Sequence, residues 1–124
     1  MTDCIFCKIV DGAIPSNKVY EDDKIIAIHD LEPQAPVHVL VMPKEHICCA
    51  NAINESNAEI VAHIFTKIPE IAKLSGVDSY RIINNCGDKA GQTVKHIHFH
   101  ILSGDNLSEK RWFGFRHRHE WQNA

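Results

Sequence analysis

The chain has 124 residues, 44% of them hydrophobic, and no Gly/Ser/Pro-rich or single-sign stretch divides it, which excludes both a disordered chain and two linker-joined domains. A net charge of −3 excludes broad binding along a phosphate backbone, which favours a basic face, so nucleic acid is not an expected partner. No apolar run approaches the roughly 20 residues of a membrane span.

The opening MTDCIFCKIVDG lacks the basic start and longer apolar stretch of a signal peptide. The protein is therefore expected in the cytoplasm, where its cysteines (4, 7, 48, 49 and 86) read as thiols or metal ligands, not as a disulfide framework. CIFCKIV (4–10) reads as one or two helical turns closed by Asp11-Gly12. After a loop at Pro15, the β-rich segments KVYED (18–22) and KIIAIHD (24–30) form a hairpin around Asp22-Asp23. LEPQAP (31–36), with its two prolines, is a surface turn, and VHVLVMP (37–43) is an apolar strand buried on both faces, hence central.

From Asn54 the period changes. Ile60, Val61, Ile64, Phe65, Ile68, Ile71, Ala72 and Leu74 recur at spacings of three and four, the stripe of an amphipathic helix. Asn54 is the expected N-cap and Gly76 the stop, while Pro69 is expected to kink or split the helix. YRIINN (80–85) reads as a strand, CGDKAGQT (86–93) as a glycine-containing loop and HIHFHIL (96–102) as the last strand. The tail KRWFGFRHRHEW (110–121) is basic and aromatic and reads as a solvated or partner-covered end. One long helix among strands, without repeated βαβ units, gives an α+β class: a mostly antiparallel sheet with a helix on one face.

HIHFHIL carries the chemistry. In a strand, successive side chains alternate between faces, so Ile97, Phe99 and Ile101 enter the core and His96, His98 and His100 share the other face. Such a row suits either a metal, for which neutral imidazole is a common ligand, or phosphate, with one imidazole attacking phosphorus and its neighbours donating and orienting. The preceding loop favours phosphate. Gly87 and Gly91 permit unusual φ and close backbone approach, backbone N–H groups can point at an anion, and Gln92 and Thr93 add polar side chains.

GQTVKHIHFHIL resembles the His-x-His-x-His-x-x signature of the histidine triad (HIT) superfamily. Residues 4–46, closing in Pro-x-His-x-Leu-Val-x-Pro-Lys-x-His, resemble the N-terminal half of its Hint branch, the histidine triad nucleotide-binding proteins. The resemblance implies a HIT-like five-stranded sheet with one long helix and a short N-terminal helix, extended across a homodimer. It implies one domain over residues 1–124, with 103–124 as a C-terminal extension.

It further implies hydrolysis of purine nucleoside 5′-phosphoramidates, with no cofactor needed for the chemistry. His98 would be the nucleophile, forming a nucleotidyl-histidine that water cleaves. His100 would hydrogen-bond the phosphate. Thr93 stands where the family usually has serine and would assist the departing amine. His38 would sit near His96 and support the row. Asn85, Gly91, Gln92 and Val94 would line the phosphate side, and Asp30 would accept from the ribose hydroxyls. Ile5, Phe6, Ile9, Ile28, His29 and Leu31 would enclose the base.

Cys4-x-x-Cys7 has the spacing of half a zinc site. Some superfamily members complete such a pair with two histidines, which here implies His46 and His96 around a structural zinc. Cys48, Cys49, Cys86 and His63 receive no role. The chain departs from the family at its C-terminus, which is longer and more basic; the family often carries a tryptophan there, and Trp112 is the candidate for that role. Two other readings stand beside the phosphoramidase: a dinucleoside polyphosphate hydrolase or nucleotidyltransferase of the same superfamily, and a nucleotide-binding or scaffolding module with incidental catalysis.

Overall fold

The computed structural model describes residues 3–104 and Leu107. A short helix α1 (Ile5–Val10) precedes strands β1 (Lys18–Glu21), β2 (Ile25–His29) and β3 (Val37–Pro43). The long helix α2 (Ala58–Leu74) follows, then β4 (Arg81–Ile83) and β5 (Phe99–Ser103). The sheet order is β1-β2-β3-β5-β4, every neighbouring pair is antiparallel, and β3 is central as its apolar sequence requires.

Alternation divides the core between the two faces of the sheet. Odd-numbered Ile25, Ala27, Val39, Val41, Ile97, Phe99 and Ile101 pack with Ile64, Ile68 and Ile71 of α2. Even-numbered Ile26, Ile28, Leu40 and Met42 pack with Phe6 and Ile9 of α1. Each face is therefore covered by a helix, α2 on one side and α1 on the other. The β3–β5 register sets Leu40 opposite His100 and His38 opposite Leu102, so both histidines lie on the α1 face. Burying an isoleucine such as Ile68 contributes roughly 1.5–3 kcal/mol, and truncating it to alanine costs about 2–5 kcal/mol.

Several element boundaries differ from the sequence expectation. The long helix starts at Ala58 with Asn57, not Asn54, at its N-cap. Asn54 shapes the turn before it: its Oδ1 accepts from the Ser56 N–H at 2.8 Å, while its own N–H donates to Asn57 Oδ1 at 2.8 Å. Nor does Pro69 split the helix. Its ring lies on the exposed side, and the carbonyl four residues earlier belongs to Phe65, itself 47% exposed, where water can replace the missing N–H partner.

The last strand begins at Phe99, so His96 and His98 lie in the irregular segment leading into it. There Ile97 N–H leaves the ladder and donates to the Ile47 carbonyl at 2.7 Å, yet the in–out alternation persists. The preceding strand is shorter than 80–85, because the Asn84 side chain donates to the His98 carbonyl at 2.8 Å where a longer strand would extend the ladder.

A polar clip joins α2 to the β1–β2 turn. Asp22 Oδ2 accepts from Tyr20 Oη at 2.8 Å and lies 2.7 Å from His63 Nε2, while Oδ1 accepts from the N–H groups of Lys24 and Ile25. Burial alone would raise this carboxyl's pKa, but the donors of His63, Lys24, Tyr20 and Ile25 together hold it well below the usual range. The C-terminal segment containing Trp112 lies outside the described residues.

Candidate active site

The row is built from neutral imidazoles whose tautomers the fold assigns. His98 Nδ1 lies 2.8 Å from the His96 carbonyl. A carbonyl only accepts, so Nδ1 carries the proton and Nε2 holds a lone pair. His100 has the opposite arrangement. The Gln34 backbone N–H donates to His38 Nδ1 at 3.0 Å, which makes His38 Nε2 the protonated nitrogen. That nitrogen donates to His100 Nδ1 at 2.9 Å, leaving His100 with its proton on Nε2. His38 thus supports His100, not His96 as the sequence suggested.

Burial keeps these rings uncharged. It pushes the His38 pKa down to about 4, with the neighbouring His98 adding to the effect. Burial likewise holds His96, His98 and His100 below the ordinary imidazole value. Phe6 stands edge-on to His98, with ring centroids 4.9 Å apart, and shields it from one side. A neutral ring with an available Nε2 lone pair beside a ring with an Nε2 proton can attack an electrophile and donate to the charge that develops.

Beside this face lies a cleft of about 400 Å³. Ile5, Phe6, Ile9, Ile28, His29, Asp30, Leu31 and Val94, all named from the sequence, line it together with Glu32 and Leu40. Leu40 was missed because it reads as strand core; its parity with His38 and its place opposite His100 are the signals that find it. Asp30 Oδ1 accepts from the Glu32 N–H at 2.8 Å. Its Oδ2 is buried without a hydrogen-bond partner among the described residues, 3.4 Å from a His38 Nε2 already committed to His100. Because His38 is neutral, this approach is not an ion pair. Burial raises the Asp30 pKa, although the Glu32 N–H and His98 pull it back.

The glycine loop is ordered by Gln92, which is 3% exposed. Its Oε1 accepts from Gly87 N–H at 2.9 Å, and its Nε2 donates to the carbonyls of Cys48 and Val94 at 2.8 and 3.0 Å. Gln92 therefore shapes the loop and is absent from the cleft lining. Gly87 and Gly91 both adopt φ 95°, which disfavours a side chain. Asn85 packs under Gly91, and its Nδ2 is buried without a partner among the described residues. Thr93 lines an adjoining cleft with Asp3, Cys4, His46 and Lys95; the two clefts share Ile5 and Val94.

On the other side of His96, Cys4, Cys7 and His46 converge. One donor atom from each of the four residues lies within 4.8 Å of all the others. Cys4 caps α1, its Sγ accepting from Cys7 N–H at 3.3 Å. His96 Nε2 donates to the Pro43 carbonyl at 2.8 Å, so its Nδ1 presents a lone pair, 3.3 Å from Cys4 Sγ and 3.6 Å from Cys7 Sγ. Cys7 Sγ is 3.3 Å from His46 Nδ1. Two thiols and two imidazoles at this separation, one ring already oriented by a backbone carbonyl, form a group that could hold a metal ion. Asp30, His38 and His100 also converge, but both His38 ring nitrogens are engaged, so that group does not suit a metal. Among the described residues, no helix is long and apolar enough to cross a membrane.

Residues 3–112 match the family model described as "Scavenger mRNA decapping enzyme C-term binding". The chain is 47% identical over 110 residues to Protein pkiA of Dictyostelium discoideum, covering 86% of this chain and 87% of that one. It is 42% identical over 106 residues to an uncharacterized HIT-like protein of Rickettsia prowazekii (strain Madrid E), covering 83% and 88% of the two. Among solved structures it resembles a histidine triad protein from Clostridium difficile, with 52% identity, a TM-score of 0.82 and coverage of 86% and 95%. It also resembles a HIT family hydrolase from Clostridium thermocellum, with 48% identity, a TM-score of 0.84 and coverage of 86% and 95%. A triad of oriented histidines, the five-stranded sheet that carries it and matches spanning most of the chain lead to one conclusion: this protein belongs to the histidine triad (HIT) family.

Proposed function

We propose that the protein hydrolyses purine nucleoside 5′-phosphoramidates through a covalent nucleotidyl–His98 intermediate. The observation that carries this reading is the pair of opposed tautomers: His98 with an Nε2 lone pair, and His100, its ring centroid 5.1 Å away, with an Nε2 proton. His98 Nε2 attacks the α-phosphorus, the P–N bond breaks, and the amine leaves with a proton taken from solvent through the Thr93 hydroxyl. Water then attacks the same phosphorus, the N–P bond to His98 breaks, and the nucleotide is released. His100 donates to a non-bridging oxygen throughout, and the Thr93 hydroxyl serves the leaving amine.

The cleft supports the nucleoside half. Asp30 Oδ2, buried and lacking a donor among the described residues, suits the two ribose hydroxyls, and Phe6, Ile9, Ile28 and Leu40 suit the base. Asn85 Nδ2 is a further donor for phosphate. The solved HIT family hydrolase that this chain resembles supports hydrolysis over binding alone. The reading includes a structural zinc on Cys4, Cys7, His46 and His96, which when bound cross-links α1 to the segment leading into β5 and takes no part in the reaction. It also includes a homodimer, supported by the sheet-edge position of β4 and the 38% exposure of its Ile82.

The test is hydrolysis of adenosine 5′-phosphoramidate by wild type and His98→Ala, with intact mass measured after mixing. Turnover and a nucleotidyl adduct in wild type, both lost in the variant, support the reading. Folded wild type giving neither product nor adduct overturns it in favour of a nucleotide-binding module.

A further inference from the structure

The tautomers of His38 and His100 are set from the loop joining β2 to β3, residues 30–36, because its Gln34 N–H donates to His38 Nδ1 at 3.0 Å. The loop is knit to itself and to His38. Asp30 Oδ1 accepts from the Glu32 N–H, the Glu32 carbonyl accepts from Gln34 Nε2 at 3.0 Å, and the Asp30 N–H donates to the His38 carbonyl at 3.0 Å. Each of these bonds closes within residues 30–38, so none of them ties the loop to a more distant part of the chain. That task falls to packing at its far end, against the chain that leaves β5.

Two contacts perform it. β3 and β5 pair as far as Val37 and Ser103, so Pro36 and Gly104 meet where the ladder stops. A side chain at 104 would place its Cβ 2.5 Å from Pro36 Cγ and closer still to Cδ, a separation that Cβ atoms do not tolerate. Gly104 also adopts φ 152°, a conformation that side chains disfavour. The glycine thus lets the chain close on the proline ring. Three residues on, Leu107 packs on the fully buried Leu102, as does Ala35 of the loop. Leu102 stands opposite His38 in the register, so this small cluster lies at the His38 end of the histidine face.

We propose that Gly104 and Leu107 are positioning residues: the chain leaving β5 braces residues 30–36 and so holds the Gln34 N–H on His38, which keeps the His100 proton on Nε2. The purpose of the brace rests on the phosphoramidase reading, in which it keeps the phosphate donor in its donating form. A side chain at 104 displaces Pro36 and draws the Gln34 N–H from His38 Nδ1. His38 and His100 are then each able to exchange tautomers.

The experiment uses the full-length protein without substrate. Long-range proton–nitrogen NMR reads which nitrogen of each histidine is protonated, and amide exchange reads the Gln34 N–H. Wild type is expected to show single tautomers, with His38 and His100 both protonated on Nε2. Gly104→Ala is expected to show mixed tautomers at both and severalfold faster exchange at Gln34, with Ile68 and Ile71 of α2 unchanged. A general loss of stability would instead speed all three amides alike. Adding Pro36→Ala to that variant removes Cγ and Cδ and should restore part of the Gln34 protection. Leu107→Ala, which trims a half-buried side chain, should produce the same pattern to a smaller extent. Mixed tautomers in wild type overturn the proposal, as do wild-type tautomers and Gln34 exchange in Gly104→Ala, or amides that all quicken together. If Gly104→Ala does not fold, a Leu107→Ala protein indistinguishable from wild type overturns it alone. Turnover of adenosine 5′-phosphoramidate is measured alongside. Variant-dependent tautomers in a protein that hydrolyses no phosphoramidate retain the brace and reject only the phosphoramidase.

Discussion

His38 Nε2 lies 2.9 Å from His100 Nδ1, and the proton between them belongs to His38 because the Gln34 N–H occupies its other nitrogen. His38 is thus a positioning residue for the phosphate donor. In His38→Ala, His100 is free to place its proton on either nitrogen, and kcat on adenosine 5′-phosphoramidate is expected to fall on the order of tenfold to a hundredfold, short of the loss from removing a direct donor. KM should change little. Steady-state kinetics check this, and an unchanged kcat removes His38 from the machinery.

The same burial makes stability depend on pH. His38 titrates near 6.5 when unfolded and at about 4 when folded, so between these values the unfolded chain binds the extra proton. Stability is therefore highest above pH 6.5 and falls as pH drops toward 4, by about 3 kcal/mol from this group. Urea unfolding at pH 7, 6 and 5 measures the slope. In His38→Leu the slope should shrink; a slope identical to wild type would show that other groups govern the acid side.

Asp22 gathers four donors between the β1–β2 turn and α2. Asp22→Ala leaves them without their acceptor and is expected to cost roughly 2–4 kcal/mol, while His63→Ala, losing one contact, costs about 1 kcal/mol. Both lie away from the cleft, so turnover per folded molecule should be unaltered. Denaturant titration alongside activity separates the two effects.

Metal analysis of protein purified without added zinc is expected to give one zinc per chain. Cys7→Ser should lose it, and removal by a chelator should lower Tm by several degrees or more, since structural zinc binding contributes directly to folding free energy. Protein that is metal-free after zinc dialysis, with an unmoved Tm, refutes the structural-zinc reading.

Light scattering is expected to report twice the chain mass of 14.0 kDa. If β4 forms the joining edge, Ile82→Lys should shift the population toward single chains, because it places a charge among side chains buried in the pair. A mass of one chain in wild type removes the dimer.

Alternation made much of this architecture legible. The odd residues of 97–101 enter the α2 core, and the apolar run 37–43 is the central strand. The histidine motif and the Cys-x-x-Cys spacing identified residues that the fold brings together in two adjoining groups. What the sequence hid depends on long-range geometry. No local signal joins Asp22 to His63, separated by 41 residues, or Cys48 to the amide of Gln92, separated by 44. The Gln34 contribution is a backbone N–H, to which residue identity is blind. Gln92 reads as a ligand contact from its motif, and its side chain also ties backbone groups of the loop together: both amide protons and one lone pair of its oxygen go to Cys48, Val94 and Gly87.

The parity of the strands has a practical side. Odd positions of β2, β3 and β5, His29 at the cleft mouth excepted, face α2, whereas the candidate chemistry rests on even positions and the α1 side. Mutational libraries confined to the odd positions and α2 can therefore search for hardier proteins, while libraries at even positions retune what the cleft accepts. A gain found in one set should transfer to the other with little interference, letting durability and selectivity be bred separately in so small a chain.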